Sequence, residues 1–376
     1  MARFLFYDDQ LINILQQHEK PSGGAAVQTF SWIRGLTKVG QDVFILTGAD
    51  KNAILKEECR DYKIIPLYDN NKGVRWLRWG YYRLPYLYSK VKQVKPDYLY
   101  QSVPGWASFL MGSVCYLLNI KYLLRISNDN LLDERINRQH SGFKRFFLEM
   151  GIKMAYCVLC QNEYQLSQVK KKYPQKQALK IPNPIYLSHS PYTDTTQDRS
   201  YIAWVGLFQY QKNLKLLYEI ASTLTDEQFK VAGKELYGND ADTKLYLAKL
   251  KELPNVEFVG FLSRDEIPSF LAKAKYLLNT SHYEGFSNTF LEAMTVGTPI
   301  ISSDKVNPDG FISNNNLGIV YKDLQDLVQH YRAVSAEKYS QMSANALGYV
   351  VEHHDHEALA NRLLYFLEKR EKVAVT

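Results

Sequence analysis

The stretch Tyr283-Glu-Gly-Phe-Ser-Asn-Thr-Phe-Leu-Glu-Ala-Met-Thr-Val-Gly-Thr-Pro299 decides how this chain is read. It follows a short apolar run at residues 276–280, the pattern of a buried strand. Ser287 or Asn288 can cap a helix, and Gly297 with Pro299 just beyond it sets the expected end of its last turn. Glu284 then precedes the helix, and Glu292 lies about one turn inside it. The backbone amides of Gly285, Phe286 and Ser287 fall where a helix start carries partial positive charge, a setting for phosphate or polar sugar groups. Two carboxylates separated by a loop and one turn can reach two hydroxyl-bearing sugars flanking a diphosphate.

Outward from this stretch, strands and helices alternate over the whole chain. Apolar runs occur at residues 4–7, 43–47, 63–67, 98–101, 122–126, 157–160 and 179–181. Longer amphipathic segments lie between most of them, and residues 27–39 read as a helix. After Pro182-Asn183-Pro184 the chain turns polar, and residues 188–199 are expected to link two domains. The rhythm restarts at residues 201–206, 229–233, 256–261, 276–280, 300–302 and 318–321. Leu214, Leu217, Ala221 and Leu224 recur at helical spacing. This is the pattern of parallel sheets covered on both faces. With 376 residues, the chain suits two α/β domains, expected at 1–187 and 200–352. A terminal helix at 353–376 is expected to pack back on the first domain. Two doubly wound, Rossmann-like sheets in one chain normally bind ligand at the carboxyl ends of their strands, in a central cleft.

Composition excludes several classes. The chain is 46% hydrophobic and 23% charged, a globular balance. Residues 1–7 fall short of a secretory core. Residues 106–126 are apolar but include Ser108, Ser113, Asn119, Lys121 and Arg125, so a buried helix followed by a strand is expected rather than a membrane span. Cys59, Cys115, Cys157 and Cys160 are too few for a disulfide framework. The Cys-x-x-Cys pair lies in a strand-like run and reads as buried thiols of a reduced, cytoplasmic protein. Residues 1–190 hold 27 Lys and Arg against 15 Asp and Glu, and the remainder holds 19 against 24. A basic half and an acidic half are expected to meet different partners.

The residues quoted above resemble glycosyltransferase family 4, retaining enzymes of the GT-B fold, whose hallmark reads Glu-Gly-Phe, several residues, then Glu-Ala. The resemblance implies that Glu284 faces the transferred sugar and Glu292 the nucleotide ribose. Ser22-Gly23-Gly24 looks like the family's first glycine-rich loop, where the backbone approaches diphosphate or acceptor. Val205-Gly206-Leu-Phe-Gln-Tyr-Gln-Lys212-Asn213 resembles the segment that opens the second domain, with Lys212 as the cation for the diphosphate. Gly233 and Lys234, and Phe261 after Gly260, resemble strand ends around the base, and Ile181-Pro182-Asn183 resembles the interdomain hinge. Two departures stand out. Leu207 occupies a position where the family commonly has arginine, which leaves Lys234 as a substitute cation. Ser127 or Asn128 stands on the acceptor side in place of a family histidine.

The resemblance implies transfer of a sugar from a nucleoside-diphosphate donor, UDP- or GDP-linked, to a glycan or lipid-linked acceptor. Bacterial surface polysaccharide synthesis is the role most often implied. No essential metal is expected, since there is no Asp-x-Asp clamp in a suitable loop, and neither a cofactor nor a nucleic-acid partner is expected. Glu352-His353-His354-Asp355-His356 lies far in sequence from the motifs. A nicotinamide oxidoreductase lacks support, because no Gly-x-Gly-x-x-Gly follows the first strand. A sugar-nucleotide epimerase and a noncatalytic binding partner remain as alternatives. Residues 72–96 carry Lys72, Arg75, Arg78, Arg83, Lys90, Lys92 and Lys95 with no acid. Interleaved Trp76, Trp79, Tyr81, Tyr82, Tyr86 and Tyr88 make this either ordinary core and solvated face or a contact with the anionic inner face of the cell membrane. Lys144-Arg145-Phe146-Phe147 would extend it.

Overall fold

The computed structural model describes residues 1–48, 53–69, 71–74, 77–139, 141–187, 199–235 and 240–375, with the side chains of 138, 139 and 370–375 left aside. The expected linker at 188–199 and the residues Arg75 and Trp76 fall outside the described residues, Arg199 excepted. Two compact units emerge: Met1–Tyr186 with His356–Thr376, and Leu187–Asp355.

The first unit is built on seven parallel strands: β1 (Arg3–Tyr7), β2 (Asp42–Thr47), β3 (Lys63–Pro66), β4 (Tyr98–Ser102), β5 (Lys121–Arg125), β6 (Cys157–Cys160) and β7 (Ala178–Lys180). Their order is β3-β2-β1-β4-β5-β6-β7. Strand periodicity sends alternate side chains to opposite faces. Phe4, Phe6, Tyr98, Tyr100, Leu123, Cys157 and Leu159 join one core, together with Trp32, Ile33 and Leu36 of the helix Gly24–Lys38. Leu5, Leu99, Tyr122, Leu124, Val158 and Cys160 join the other, under the helix Trp106–Leu118. Both faces are therefore covered, which is why these runs read as continuously apolar. Residues 106–126 form that helix and β5. All four cysteines are buried.

The last helix runs His356–Val375, starting three residues later than expected because Asp355 breaks from helical geometry after the helix Ala336–His354. Its Leu359, Ala360, Leu363 and Leu367 enter the first unit's core. The fit against Gly24–Lys38 is close: a Cβ at Gly35 would stand 2.4 Å from the His356 carbonyl oxygen.

The second unit holds six parallel strands: β8 (Tyr201–Phe208), β9 (Phe229–Glu235), β10 (Val256–Gly260), β11 (Ala274–Asn279), β12 (Ile300–Ser303) and β13 (Gly318–Tyr321). Their order is β10-β9-β8-β11-β12-β13. Leu214, Leu217, Ile220 and Ala221 of the helix Leu214–Thr223 pack on this sheet, as their spacing requires.

Candidate functional site

Strand order reverses between β8 and β11 in the second unit. Loops leaving adjacent carboxyl ends at such a point run to opposite sides and leave a crevice, the usual ligand position in an open α/β sheet. Lys212 and Glu284 come from these two loops. Lys212 ends a single 3-10 turn, Tyr210–Lys212, after β8. Its carbonyl accepts a 2.7 Å hydrogen bond from Thr280 Oγ1, which in turn accepts one from Trp204 Nε1 at 3.0 Å. The lysine backbone is thus tied to the end of β11.

The Glu284 carboxylate is held by three donors. Lys212 Nζ and Ser281 Oγ donate to Oε1 at 2.7 and 2.8 Å, and Gln211 Nε2 donates to Oε2 at 3.1 Å. The Lys212 and Glu284 side chains are 16% and 10% exposed, enough screening from water to make charge matching matter. Gln211 also donates to the Tyr283 carbonyl at 3.0 Å and accepts from His282 N at 2.9 Å. Gln211, Ser281 and the ring of Tyr210, stacked 4.8 Å from His282, therefore fix the loop that carries Glu284. Burial, and the Lys305 charge after it, hold the His282 imidazole below its usual value, which favours its neutral form.

Glycine has a packing reason at two expected positions. Gly206 and Gly233 are register partners on β8 and β9. A Cβ on Gly233 would stand 2.1 Å from the Gly206 carbonyl oxygen, so the strands could not keep their separation. A Cβ on Gly206 would stand 3.0 Å from the Trp204 ring and 3.4 Å from Lys212 Cε. The bare backbone leaves room for the lysine stem. Asn213 occupies the left-handed region at φ 51°, which asparagine tolerates, and its side chain caps the following helix by accepting from Leu216 N at 3.3 Å.

The helix after Glu284 runs Asn288–Met294, three residues shorter than Gly297 suggests. Val296 and Gly297 bond back three residues, to Ala293 and Met294, so the chain leaves α geometry early and Gly297 takes φ 65° in the turn. Ser287 holds the cap position by its backbone, but its hydroxyl pairs with Thr289 Oγ1 at 2.9 Å instead of capping. Gly285 is buried. Phe286 packs against Phe311, Phe290 and His354, so its ring supports the helix. Glu292, inside the helix as expected, forms an ion pair with Arg264.

Lys234 is exposed on β9 and is the register partner of Leu207, which puts the expected substitute cation level with the position lacking arginine. Phe261 is 37% exposed just past β10, after Gly260 at φ 83°. Gly206, Lys212 and Glu284 are the expected residues brought together. Gln211, Ser281 and Arg264 were not expected. Ser281 and Gln211 stand next to recognisable residues, but nothing in type or spacing marks them, and Arg264 lies 28 residues from its partner.

In the first unit, Gly23 N donates to Gln10 Oε1 at 3.2 Å, and Gly24 opens the helix Gly24–Lys38. A Cβ at Gly23 would meet nothing closer than 3.7 Å, so packing does not demand glycine there. Ser127 follows β5 and its carbonyl accepts from Gln161 Nε2 at 3.4 Å, while Asn128 precedes the turn Asp129–Leu131. Arg125, fully buried at the end of β5, donates to the Ile181 carbonyl at 3.0 Å and Asn183 Oδ1 at 2.6 Å. That pins Ile181-Pro182-Asn183 to the sheet. Among the described residues no group of three or more His, Cys, Asp or Glu could hold a metal ion. His354 packs on Phe286 and His356 on Tyr186, in different units.

Residues 191–347 match the family model described as "Glycosyl transferases group 1". The chain is 22% identical over 238 residues to an alpha-D-kanosaminyltransferase of Streptomyces kanamyceticus, covering 57% of this chain and 61% of that one. It thus spans about three fifths of that relative's length. Among solved structures, a sucrose-phosphate synthase from Thermosynechococcus elongatus superposes with a TM-score of 0.76 at 16% identity, over 100% of both chains. Anabaena HepE, solved with UDP and glucose, gives a TM-score of 0.76 at 13% identity, over 98% of this chain and 100% of that one. These likenesses show the fold, which is GT-B.

Proposed function

We infer that this chain, whose residues 191–347 belong to the group 1 glycosyl transferases, is a retaining glycosyltransferase. It takes a sugar from a nucleoside diphosphate, UDP- or GDP-linked, and passes it to a glycan or lipid-linked acceptor. The role that fits is surface polysaccharide assembly in the cytoplasm, at the inner face of the membrane. One observation carries this reading: a lysine and a glutamate from two different loops meet at the second sheet's switch point, 2.7 Å apart. HepE, of the same fold, was solved with UDP and glucose, which supports a sugar diphosphate as the ligand of such a crevice.

The bond from the anomeric carbon to the β-phosphate oxygen breaks, and its electron pair stays on that oxygen. The acceptor hydroxyl bonds to the same carbon on the same face, and its proton passes to the departing phosphate oxygen. Retention then needs no protein nucleophile. Lys212 supplies positive charge to the diphosphate as it leaves, a form of catalysis by electrostatic preorganisation and positioning. In the unliganded chain Glu284 holds that charge in place. When donor binds, the diphosphate shares Lys212 and frees carboxylate oxygen to accept from sugar hydroxyls. Gly206 leaves space for the exchange, Glu292 with Arg264 binds the ribose, and Lys234 supplies the second cation. Ser127 and Asn128 are assigned to the acceptor side, and Gly23 and Gly24 keep the diphosphate role that the resemblance implies. No step requires a metal or cofactor.

Incubation of the chain with a panel of UDP- and GDP-sugars, followed by mass spectrometry, tests this reading. The expected result is slow donor hydrolysis with one sugar and release of the nucleoside diphosphate. An altered donor with no release would identify an epimerase instead.

A further inference from the structure

The loops that follow β8 and β11 run side by side. His282 N donates to the Gln211 carbonyl at 2.9 Å, Gln211 Nε2 donates to the Tyr283 carbonyl at 3.0 Å, and Lys212 Nζ donates to Glu284 Oε1 at 2.7 Å. One step earlier along both loops the rings of Tyr210 and His282 stack, with centroids 4.8 Å apart and planes 29° from parallel. Tyr210 stands two residues before Lys212, and His282 two before Glu284. Two residues of chain span at most about 7 Å, the breadth of one sugar ring with its hydroxyls. The stacked rings therefore adjoin the ion pair.

Lys212, Glu284, Gln211 and Ser281 supply charge and hydrogen bonds but no apolar surface. A pyranose presents C–H groups as well as hydroxyls, and sites for such ligands commonly set an aromatic face beside a few placed polar groups. The Tyr210–His282 stack is that kind of face. Tyr210 is 54% exposed and His282 is exposed as well, so the phenol ring offers surface beyond the stack. Its surroundings place it at the carboxyl edge of the second sheet. His282 feels the charges of Lys305, in the turn Asp304–Val306 after β12, and of Asp240, the cap of the helix Ala241–Lys251 after β9. Burial and then Lys305 favour the neutral imidazole, which leaves an uncharged aromatic surface next to a charged pair.

We propose that Tyr210, backed by His282, is the platform on which the sugar ring of the donor lies. The C–H face of a pyranose covers the phenol ring, while Glu284 accepts from hydroxyls at the sugar's edge. C–H groups turn their partial positive charge toward the negative face of the ring. A nucleobase would also stack on a phenol, but the position along the loops decides for the sugar. On the transferase reading, on which this rests, the diphosphate takes Lys212 and the sugar takes Glu284, and the platform borders both. The ring then makes the donor site select a nucleotide that carries a pyranose over the bare nucleoside diphosphate.

Calorimetry on the full chain with UDP, UDP-glucose, GDP and GDP-mannose tests this. Tyr210→Leu should weaken binding of the accepted nucleotide sugar by roughly three- to tenfold, the scale of one aromatic contact. Affinity for the bare nucleotide and the melting temperature should not change. Tyr210→Phe keeps the ring and should bind the nucleotide sugar as the wild type does. A ring that acted only by holding Glu284 would lose its effect once that carboxylate is gone, so the loss should persist when Tyr210→Leu is made in the Glu284→Gln background. An equal loss for nucleotide and nucleotide sugar would put the ring at the nucleotide. No loss, a loss that Tyr210→Phe shares, or a loss that vanishes with Glu284→Gln would leave the ring no sugar to carry. Each of these results overturns the proposal alone. Wild-type protein that binds none of the four ligands would sink the transferase reading, and the platform with it.

Discussion

Lys212 Nζ lies 2.7 Å from Glu284 Oε1 across 72 residues of sequence, and the pair joins the loops that follow the adjacent strands β8 and β11. Each partner neutralises the other in a partly buried setting. Any anion that takes up Lys212 must therefore compete with Glu284, and the variants of this pair behave differently from one another.

Glu284→Gln keeps the size of the side chain and its contact with Ser281 but removes its charge. Transfer should fall by roughly 100-fold or more, the scale on which loss of one preorganised electrostatic group is felt. Steady-state rates with the donor found by screening give the check. A folded variant with near-wild-type turnover would remove Glu284 from the reaction.

Gly233→Ala separates packing from ligand contact. A Cβ there meets the Gly206 carbonyl oxygen at 2.1 Å, and backbone cannot move aside as a flexible side chain would. Overpacking of this kind costs about 1–3 kcal/mol, or a fall in melting temperature of roughly 2–12 °C for a domain of this size. Thermal melting that matches wild type would show that the sheet accommodates the methyl group.

Strand positions were legible because both faces of each sheet are covered, which makes runs such as β6 apolar at every residue. The motifs singled out Glu284 and Lys212, and the fold brings their side chains to 2.7 Å of each other. Gln211, Ser281 and Arg264 were not singled out, because a contact between loops leaves no periodic trace. The helix end at Met294 was missed for a different reason: Gly297 has the positive φ expected of a terminator, but it serves the turn after the helix. Arg83 and Phe286 show the limit of pattern. A cation in a basic stretch reads as solvated and a motif phenylalanine as ligand-facing, yet Arg83 is buried against the rings of Tyr68 and Trp79, and Phe286 packs on Phe290, Phe311 and His354.

Asp8 gives a pH dependence. Burial pushes its carboxyl up to about 6, with the Asp9 charge adding to the effect. The folded chain then holds a proton that the unfolded chain has already lost, so stability contributed by protonated Asp8 is complete below about pH 4 and is lost as pH rises through about 6. Asp8→Asn removes the charge, so its melting temperature relative to wild type should rise between pH 4 and pH 7.5. A constant difference across that range would show that Asp8 ionises normally.

Activity should survive EDTA, because the proposed mechanism gives Lys212 and Lys234 the charge that a divalent cation would otherwise supply at the diphosphate. Assays with and without chelator check this. Loss of activity that manganese restores would mean that a metal site exists and that the lysines do not suffice.

Calorimetric titration of UDP and GDP into three proteins settles whether the Lys212–Glu284 pair marks the donor site. Wild-type protein should bind one of the two nucleotides. Lys212→Ala should bind it at least about tenfold more weakly, a loss of about 1.4 kcal/mol or more, since the cation is gone and the Glu284 carboxylate is left unmatched. Glu284→Gln should bind as tightly as wild type or more so, because Lys212 no longer has to be shared. Equal affinity in all three proteins, or no binding of either nucleotide to the wild type, would contradict the assignment.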